Sequence, residues 1–131
     1  MEIPVELSRI IINETVDQQI IVLRERDGER SFPIVIGMPE ILALDRRLKR
    51  IELPRPMTHD LLANVIEELG GTLAKVVIND LRDHTFFAEL HVEVDGEVIE
   101  IDSRPSDAIA LSAGLDVPLF VDEQVFEKMQ M

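Results

Sequence analysis

The 131-residue sequence contains no cysteine, tryptophan or tyrosine, and only five phenylalanines. The lack of cysteine excludes disulfides, thiolate zinc sites and a cysteine nucleophile, and it suits a reducing compartment, so we expect a cytoplasmic protein. The scarcity of aromatic side chains leaves few surfaces on which nucleobases could stack. No apolar run approaches the roughly 18 to 20 residues of a membrane-spanning helix. The acidic N-terminal residues predict no secretory signal.

Basic residues are also few. Thirteen Lys and Arg residues face 26 Asp and Glu residues, which gives a formal net charge of −13 that repels phosphate backbones at long range. One basic cluster stands apart, formed by Arg46, Arg47, Lys49, Arg50 and Arg55. It has two interpretations: a phosphate-binding surface, or cations that complement the dipole at the C-terminus of a helix.

Periodic apolar positions predict one α+β domain over residues 1–131. Two Asp-Gly pairs, Asp27-Gly28 and Asp95-Gly96, separate runs that alternate between apolar and polar residues, which predicts two hairpins with two-residue turns. Helical spacing predicts helices over about 39–49, 58–69, 105–114 and 122–129, with a short strand at 119–121. The matching positions of the two hairpins predict mixed or antiparallel sheets with an internal duplication of a β3α2 unit.

The hairpin turns also predict a register. The first hairpin should pair Arg26 with Glu29, Glu25 with Arg30, Leu23 with Phe32, and Ile21 with Ile34. In the second, Leu90 should oppose Ile101 and Val92 should oppose Ile99 on the core face. On the other face His91 should oppose Glu100, and Glu89 should oppose Asp102. In the second helix, the predicted buried residues are Leu61, Leu62, Val65, Ile66 and Leu69.

Three segments carry a family resemblance: Arg55-Pro56-Met57-Thr58-His59-Asp60-Leu61-Leu62, Thr85-Phe86-Phe87-Ala88-Glu89-Leu90, and Asp102-Ser103-Arg104-Pro105-Ser106-Asp107-Ala108-Ile109-Ala110-Leu111. In order and spacing they resemble the bifunctional nuclease family, whose bacterial members were formerly described as a domain of unknown function. The resemblance covers nearly the whole chain. It implies a cytoplasmic nuclease domain that acts on DNA and RNA, an activity attributed to plant members. The sequence departs from the family pattern at Phe87, Ile41 and Ala113-Gly114, where Tyr, Ala and an Arg-containing stretch are common.

The two longer segments place polar residues at predicted helix starts. His59 can act as a general base there, with Asp60 beside it, and Ser106 and Asp107 repeat the arrangement. The alternative for all four is helix capping, with Thr58 as the N-cap of the second helix. Arg104 can hold a phosphate through its planar fork, or it can pair with an acidic neighbour, Asp102 or Asp107.

Other catalytic patterns are missing. The sequence has no G-x-S-x-G turn, no H-E-x-x-H zinc motif and no Walker A loop. If the protein is an enzyme, the remaining mechanism is one in which carboxylates bind Mg²⁺ or Mn²⁺, because these cations favour oxygen ligands. Opposed carboxylates repel unless a divalent cation, a guanidinium such as that of Arg104, or a shared proton lies between them. The predicted metal ligands are therefore Glu89 and Asp102, with His91 and Asp107 as further candidates in a metal or phosphate site. The alternative is a solvated acidic sheet face.

The leading functional hypothesis is therefore a metal-assisted nuclease acting on nucleic acid. The rival is a non-catalytic homo-oligomeric regulatory module, and a third is a small sensor of metal or nucleotide. A homodimer or larger assembly is predicted from the apolar residues Phe126, Met129 and Met131, beside a short strand that we expect at a sheet edge.

Overall fold

A computed structural model describes residues 1–129 and shows an α+β fold with one seven-stranded sheet. The strands are β1 (Glu2–Ile11), β2 (Gln18–Glu25), β3 (Ser31–Gly37), β4 (Gly71–Arg82), β5 (Thr85–Val94), β6 (Glu97–Ser103) and β7 (Leu119–Asp122). The helices are α1 (Met38–Leu48), α2 (Thr58–Glu68), α3 (Pro105–Leu115) and α4 (Glu123–Met129). The predicted order of strands and helices is confirmed.

The sheet has the order β3-β2-β1-β7-β4-β5-β6, and only the β4–β7 pair is parallel. Two three-stranded antiparallel meanders therefore flank β7, which lies at the centre. This arrangement is compatible with the predicted duplication, which stays a prediction. Bulges in β1 and β4 bend the strands. The sheet curls so far that Phe32 of β3 stacks on Phe86 of β5, with ring centroids 5.4 Å apart.

The concave face of this curled sheet holds the core. Residues from β1, β2, β4 and β5 pack there against α1 and α3, and the fully buried side chains include Ile21, Leu23, Ile41, Leu44, Ile78, Ile109 and Leu111. Because α3 packs against α1, α2, β4 and β5, it joins the two halves of the chain. The N-termini of the helices are thereby fixed relative to the sheet.

The first hairpin has the predicted register but not the predicted turn. Leu23 lies opposite Phe32 and Ile21 opposite Ile34, which confirms the pairing. Neither Asp27 nor Gly28 has a positive φ, so the two-residue turn is wrong. The strands end earlier, and the predicted Arg26–Glu29 pair is wrong as well. Arg26 instead turns to β1, where its N–H donates to the carbonyl of Pro4 at 3.0 Å and its guanidinium lies 3.9 Å from Glu6.

The second hairpin follows the prediction closely. Asp95 and Gly96 both have positive φ, and every predicted pair between β5 and β6 is present. The burial of the edge strand was predicted wrongly, because Ile99 and Ile101 are exposed by 48% and 42%. They lie on the core side of the sheet, but β6 is the edge strand and its core side is incompletely covered.

The side of helix α2 that faces the core is not the side predicted from the sequence. Leu61, Leu62, Val65 and Leu69 are all exposed, so their predicted burial is wrong, and Ile66 is half-buried. The inward side carries His59, Asp60, Ala63 and Ile66, spaced by three or four residues. Thr58 is the first helical residue and Met57 is the N-cap. The Met57 N–H donates to Asp60 Oδ2 at 3.1 Å, so Asp60 has the predicted capping role.

The C-terminal segment corrects the basis of the predicted assembly. Strand β7 lies between β1 and β4 and is not an edge. Phe126 is 3% exposed and packs edge-on against Phe32, with ring centroids 5.4 Å apart. Met129 is exposed, and Met131 lies outside the described residues. No helix within residues 1–129 is long and apolar enough to cross a membrane.

Candidate active site

The starts of three helices meet on the concave side of the sheet. Helix α1 contributes Glu40 in its first turn, α2 contributes His59, and α3 contributes Asp107 together with its N-cap Arg104. His59 Nε2 lies 2.9 Å from Asp107 Oδ1, and Arg104 Nε donates to Asp107 Oδ2 at 3.1 Å. The guanidinium of Arg104 also lies 3.7 Å from a carboxylate oxygen of Glu40. We call these four residues the helix-start cluster.

Charge in the helix-start cluster is balanced by direct contacts. Burial opposes ionisation of Asp107, but hydrogen bonds from Arg104 and His59 outweigh it, so the pKa of this carboxyl lies below its ordinary value. The hydrogen bond to Asp107 raises the pKa of Arg104. Asp107 is therefore an ionised acceptor that can orient the imidazole of His59. Of the two partners predicted for Arg104, the structure confirms Asp107.

A cleft of about 420 Å³ borders the cluster between β3 and the start of β5. Arg104 and Glu40 form part of its wall, together with Ser106 and His84. Ser106 is buried to 7% exposure, which limits its access to a substrate. The guanidinium side chain of Arg104 is 64% exposed, so it can contact a ligand in the cleft without leaving Asp107.

Asp60 and Arg47 form a structural pair beside the cluster. Arg47 NH1 lies 2.5 Å from Asp60 Oδ1, and Arg47 Nε donates to the carbonyl of Ala110 at 2.7 Å. Burial lowers the pKa of Arg47, and Asp60 partly offsets this. The guanidinium lies where a side chain at Gly114 would project, so glycine is required there for close approach. These contacts tie α1, α2 and α3 together.

Of the other members of the basic cluster, Lys49, Arg50 and Arg55 are exposed and Arg46 is half-buried. Arg50 pairs with Asp116 at 2.7 Å, and Lys49 pairs with Asp45 at 2.9 Å within one helix turn. Arg46 and Arg50 line a second cleft, of about 280 Å³, that also includes Asp60. Arg55 lies in the exposed segment between α1 and α2. The cluster thus combines the structural Arg47 with surface cations on the Asp60 side of His59.

Glu89 and Asp102, the predicted metal ligands, lie opposite one another on β5 and β6 as the register required. They project from the convex face, because the alternating residues Ala88 and Leu90 enter the core. Asp107 therefore does not join them: it lies on the concave side with His59, and its predicted place in this site is wrong. The donor atoms that gather on the convex face belong to Glu89, His91 and Glu100, all within 4.8 Å of one another.

Glu40 is the cluster residue that the sequence reasoning missed. It stands three residues after Gly37, in the first turn of α1, where an acidic residue is favoured by the helix dipole. That same position marks His59–Asp60 and Ser106–Asp107 at the other two helices. A search for acidic residues in every first turn would have included Glu40.

Comparisons with known proteins show which family the chain resembles. A family model described as the bifunctional nuclease domain matches residues 21–131. An uncharacterized protein of Mycobacterium tuberculosis is 38% identical over 116 residues, which cover 88% of this chain and 69% of the relative.

Two plant relatives are more distant. Bifunctional nuclease 2 of Oryza sativa subsp. japonica is 33% identical over 84% of this chain and 35% of its own length. Bifunctional nuclease 2 of Arabidopsis thaliana is 27% identical over 79% of this chain and 32% of its own length. The chain thus spans about a third of these plant relatives.

Proposed function

The chain belongs to the bifunctional nuclease domain family, and on that basis we propose that it hydrolyses phosphodiester bonds of DNA or RNA at the helix-start cluster. The observation that carries the proposal is the contact of His59 with Asp107, which also binds the exposed Arg104 at the edge of a cleft. A base, a group that orients it and a phosphate-binding cation thus lie together.

In this proposal His59 is the general base. Asp107 binds Nε2 and so favours the tautomer that leaves the lone pair on Nδ1, which can accept a proton from water. The guanidinium of Arg104 donates hydrogen bonds to the phosphate and stabilises the negative charge that develops on it. Asp60 acts as a positioning residue through its contact with Arg47, and Ser106 is buried in the first turn of α3.

The net charge of −13 opposes the binding of nucleic acid, which is itself a polyanion. The half-buried Arg46 lies in the last turn of α1, and the exposed Arg50 and Arg55 follow the helix. Arg46 and Arg50 line the same cleft as Asp60, the neighbour of His59. We propose that these three arginines contact phosphates that flank the scissile bond. Such contacts would make binding strongly dependent on salt.

The helix-start cluster is not a ready site for Mg²⁺ or Mn²⁺. Glu40 and Asp107 are its carboxylates, and both already bind Arg104. A cation there would compete with that guanidinium, so we derive no step through a metal. Dependence of the activity on Mg²⁺ or Mn²⁺ stays a prediction of the sequence.

Hydrolysis of labelled DNA and RNA by purified protein, with Mg²⁺, Mn²⁺ or EDTA, tests the proposal. His59→Asn should lower the rate by about 100-fold or more, as is usual for loss of a general base. Asp45→Asn is the matched control, because it alters a surface residue of α1 that pairs with Lys49. Equal activity in wild type and His59→Asn would show that the activity comes from elsewhere, including a contaminating nuclease.

The non-catalytic alternative has its own supporting observation. Leu61, Leu62, Val65 and Leu69 form an exposed apolar strip on α2, and the edge strand β6 exposes Val98, Ile99 and Ile101. We propose that a second copy of the chain covers the α2 strip, because a two-fold axis sets the same patch against itself. Light scattering should give a dimer mass that Leu61→Glu with Val65→Glu reduces to the monomer. A monomeric wild type at micromolar concentration would contradict this.

A further inference from the structure

The convex face of the sheet, opposite the helices, carries a second group of reactive side chains. Glu89 and His91 are alternate residues of β5, and Glu100 lies directly opposite His91 on β6. One donor atom from each lies within 4.8 Å of the other two. Because all three are held by neighbouring strands, their positions are set by the hydrogen-bonded sheet and not by a loop.

The two carboxylates of this group are not paired with a lysine or an arginine within residues 1–129. Lys75 lies opposite His91 on β4, but its ammonium group binds Glu2 at 2.5 Å and lies over the ring of Phe120. Within residues 1–129, neither Glu89 nor Glu100 makes an ion pair with a lysine or arginine. Their mutual repulsion is therefore left for another cation to offset.

His91 gives the second, independent observation. It is only 8% exposed, and its Nε2 is buried without a hydrogen bond to any group in residues 1–129. The nearest carboxylate oxygen, on Glu89, is 3.5 Å away, which is too long for a normal hydrogen bond. A buried nitrogen without a partner is unfavourable, and a metal ion is one partner that its lone pair can bind.

We infer that Glu89, His91 and Glu100 bind a divalent transition-metal ion, with Zn²⁺ as the best match. One imidazole and two carboxylates suit zinc and its neighbours, whereas Mg²⁺ favours oxygen ligands alone. In a tetrahedral zinc site, ligand atoms at about 2.0–2.2 Å from the metal lie roughly 3.4 Å from each other. The 3.5 Å between His91 Nε2 and Glu89 Oε1 fits that spacing, and a donor atom of Glu100 lies within 4.8 Å of both residues' donor atoms.

This metal site is separate from the proposed reaction site. On β5, Leu90 lies between the ligands Glu89 and His91, and Ala88 precedes them. Both side chains point into the core, which separates the metal site from the helix-start cluster. The ion would join the edge strand β6 to β5, so its first effect would be on stability. Binding can be measured without nucleic acid, so the outcome does not depend on whether the chain is a nuclease.

Titration of the EDTA-treated 131-residue chain with Zn²⁺ tests the inference. Calorimetry should show one site per chain, thermal unfolding should shift upward with Zn²⁺, and Co²⁺ should give the visible absorption of a low-coordinate site. Mg²⁺ at the same concentration should leave the melting temperature nearly unchanged. Absence of saturable Zn²⁺ binding in the wild type would overturn the inference.

Three variants locate the site. His91→Gln and Glu100→Gln should each weaken Zn²⁺ binding by about tenfold or more and remove most of the thermal shift. Glu100 is exposed on the edge strand, so its variant keeps the test valid if His91→Gln does not fold. His84→Asn alters an exposed histidine in the turn before β5 and should bind Zn²⁺ as the wild type does. Unchanged affinity in both His91→Gln and Glu100→Gln would place the metal elsewhere and overturn the assignment.

Discussion

The concave and convex faces of the sheet differ in whether their acidic residues are paired with cations. On the concave side, each acid of the helix-start cluster touches a cation: Asp107 binds His59 and Arg104, and Glu40 lies beside Arg104. On the convex side, Glu89 faces Asp102 and Glu100 faces His91 with no arginine or lysine paired to them within residues 1–129. The first arrangement is complete by itself and can position a base. The second leaves its carboxylates without a lysine or arginine partner in the described part of the chain, and the inferred metal site rests on this difference.

The largest expected effect separates the two faces by activity. Asp107→Asn should lower hydrolysis by about 100-fold or more, because the neutral amide has only one oxygen and cannot accept from both Arg104 and His59. The double variant Glu89→Gln with Asp102→Asn should keep wild-type rates. Rates measured on the same substrate with equal amounts of folded protein check both. A similar loss in the double variant would mean that the convex face takes part in the reaction.

The packing around the cluster is tested by Gly114→Ala. Helix propensity alone favours alanine by about 0.5–1 kcal/mol. The new methyl group would occupy the position of the Arg47 guanidinium, and overpacking of that kind costs about 1–3 kcal/mol. We therefore expect a net loss of about 1–2 kcal/mol in the free energy of unfolding, measured by urea denaturation. In an Arg47→Ala background the same change should become neutral or stabilising. A stabilised Gly114→Ala single variant would refute the close packing.

On the convex face the double variant Glu89→Gln with Asp102→Asn should be more stable than the wild type in EDTA. Directly opposed like charges destabilise a sheet by about 0.2–1 kcal/mol, and the variant removes them. Glu97→Gln is the control, because Glu97 lies opposite Val94 and has no opposed acid. If the control gains as much stability as the double variant, the effect is one of net charge and not of the pair.

The smallest expected effect is on the free energy of unfolding at acidic pH. Since the pKa of Asp107 is lower in the folded protein than its ordinary value of 3.8, its ionised form stabilises the fold above about pH 3.8. That contribution is lost as the pH falls through the lowered pKa. The difference in unfolding free energy between wild type and Asp107→Asn should therefore shrink between pH 5 and about pH 3. A difference that grows over this range would show that the carboxyl is not stabilised in its charged form.

The sequence predicted the strands better than it predicted the sides of α2. Alternation and the Asp95-Gly96 turn were enough for the register of the second hairpin, because a side-chain period of two leaves one pairing that buries the apolar residues. Helix α2 carries apolar residues on most of its circumference, so spacing could not say which side faces inward. Contacts of His59 with Asp107 and of Asp60 with Arg47 decide this, and they depend on tertiary packing.

The same limit applies to the candidate site. His59, Arg104 and Asp107 were each singled out as residues at helix starts, but the contact of His59 with Asp107 spans 48 positions in the chain. Local sequence patterns carry no information about which residues so far apart in the chain come into contact. Strand β7 was likewise predicted as a strand and misplaced at an edge, because its length shows that it pairs but not with which neighbours.

The central position of β7 has a consequence for synthesis on the ribosome. Residues 119–122 join β1, near the start of the chain, to β4 in its middle. The two meanders can form as they emerge, but the sheet has no continuous hydrogen bonding between them until the last strand has left the exit tunnel. Contacts so distant in sequence form slowly. Each half-sheet therefore keeps an unpaired inner strand, β1 or β4, until residues 119–122 have emerged from the ribosome.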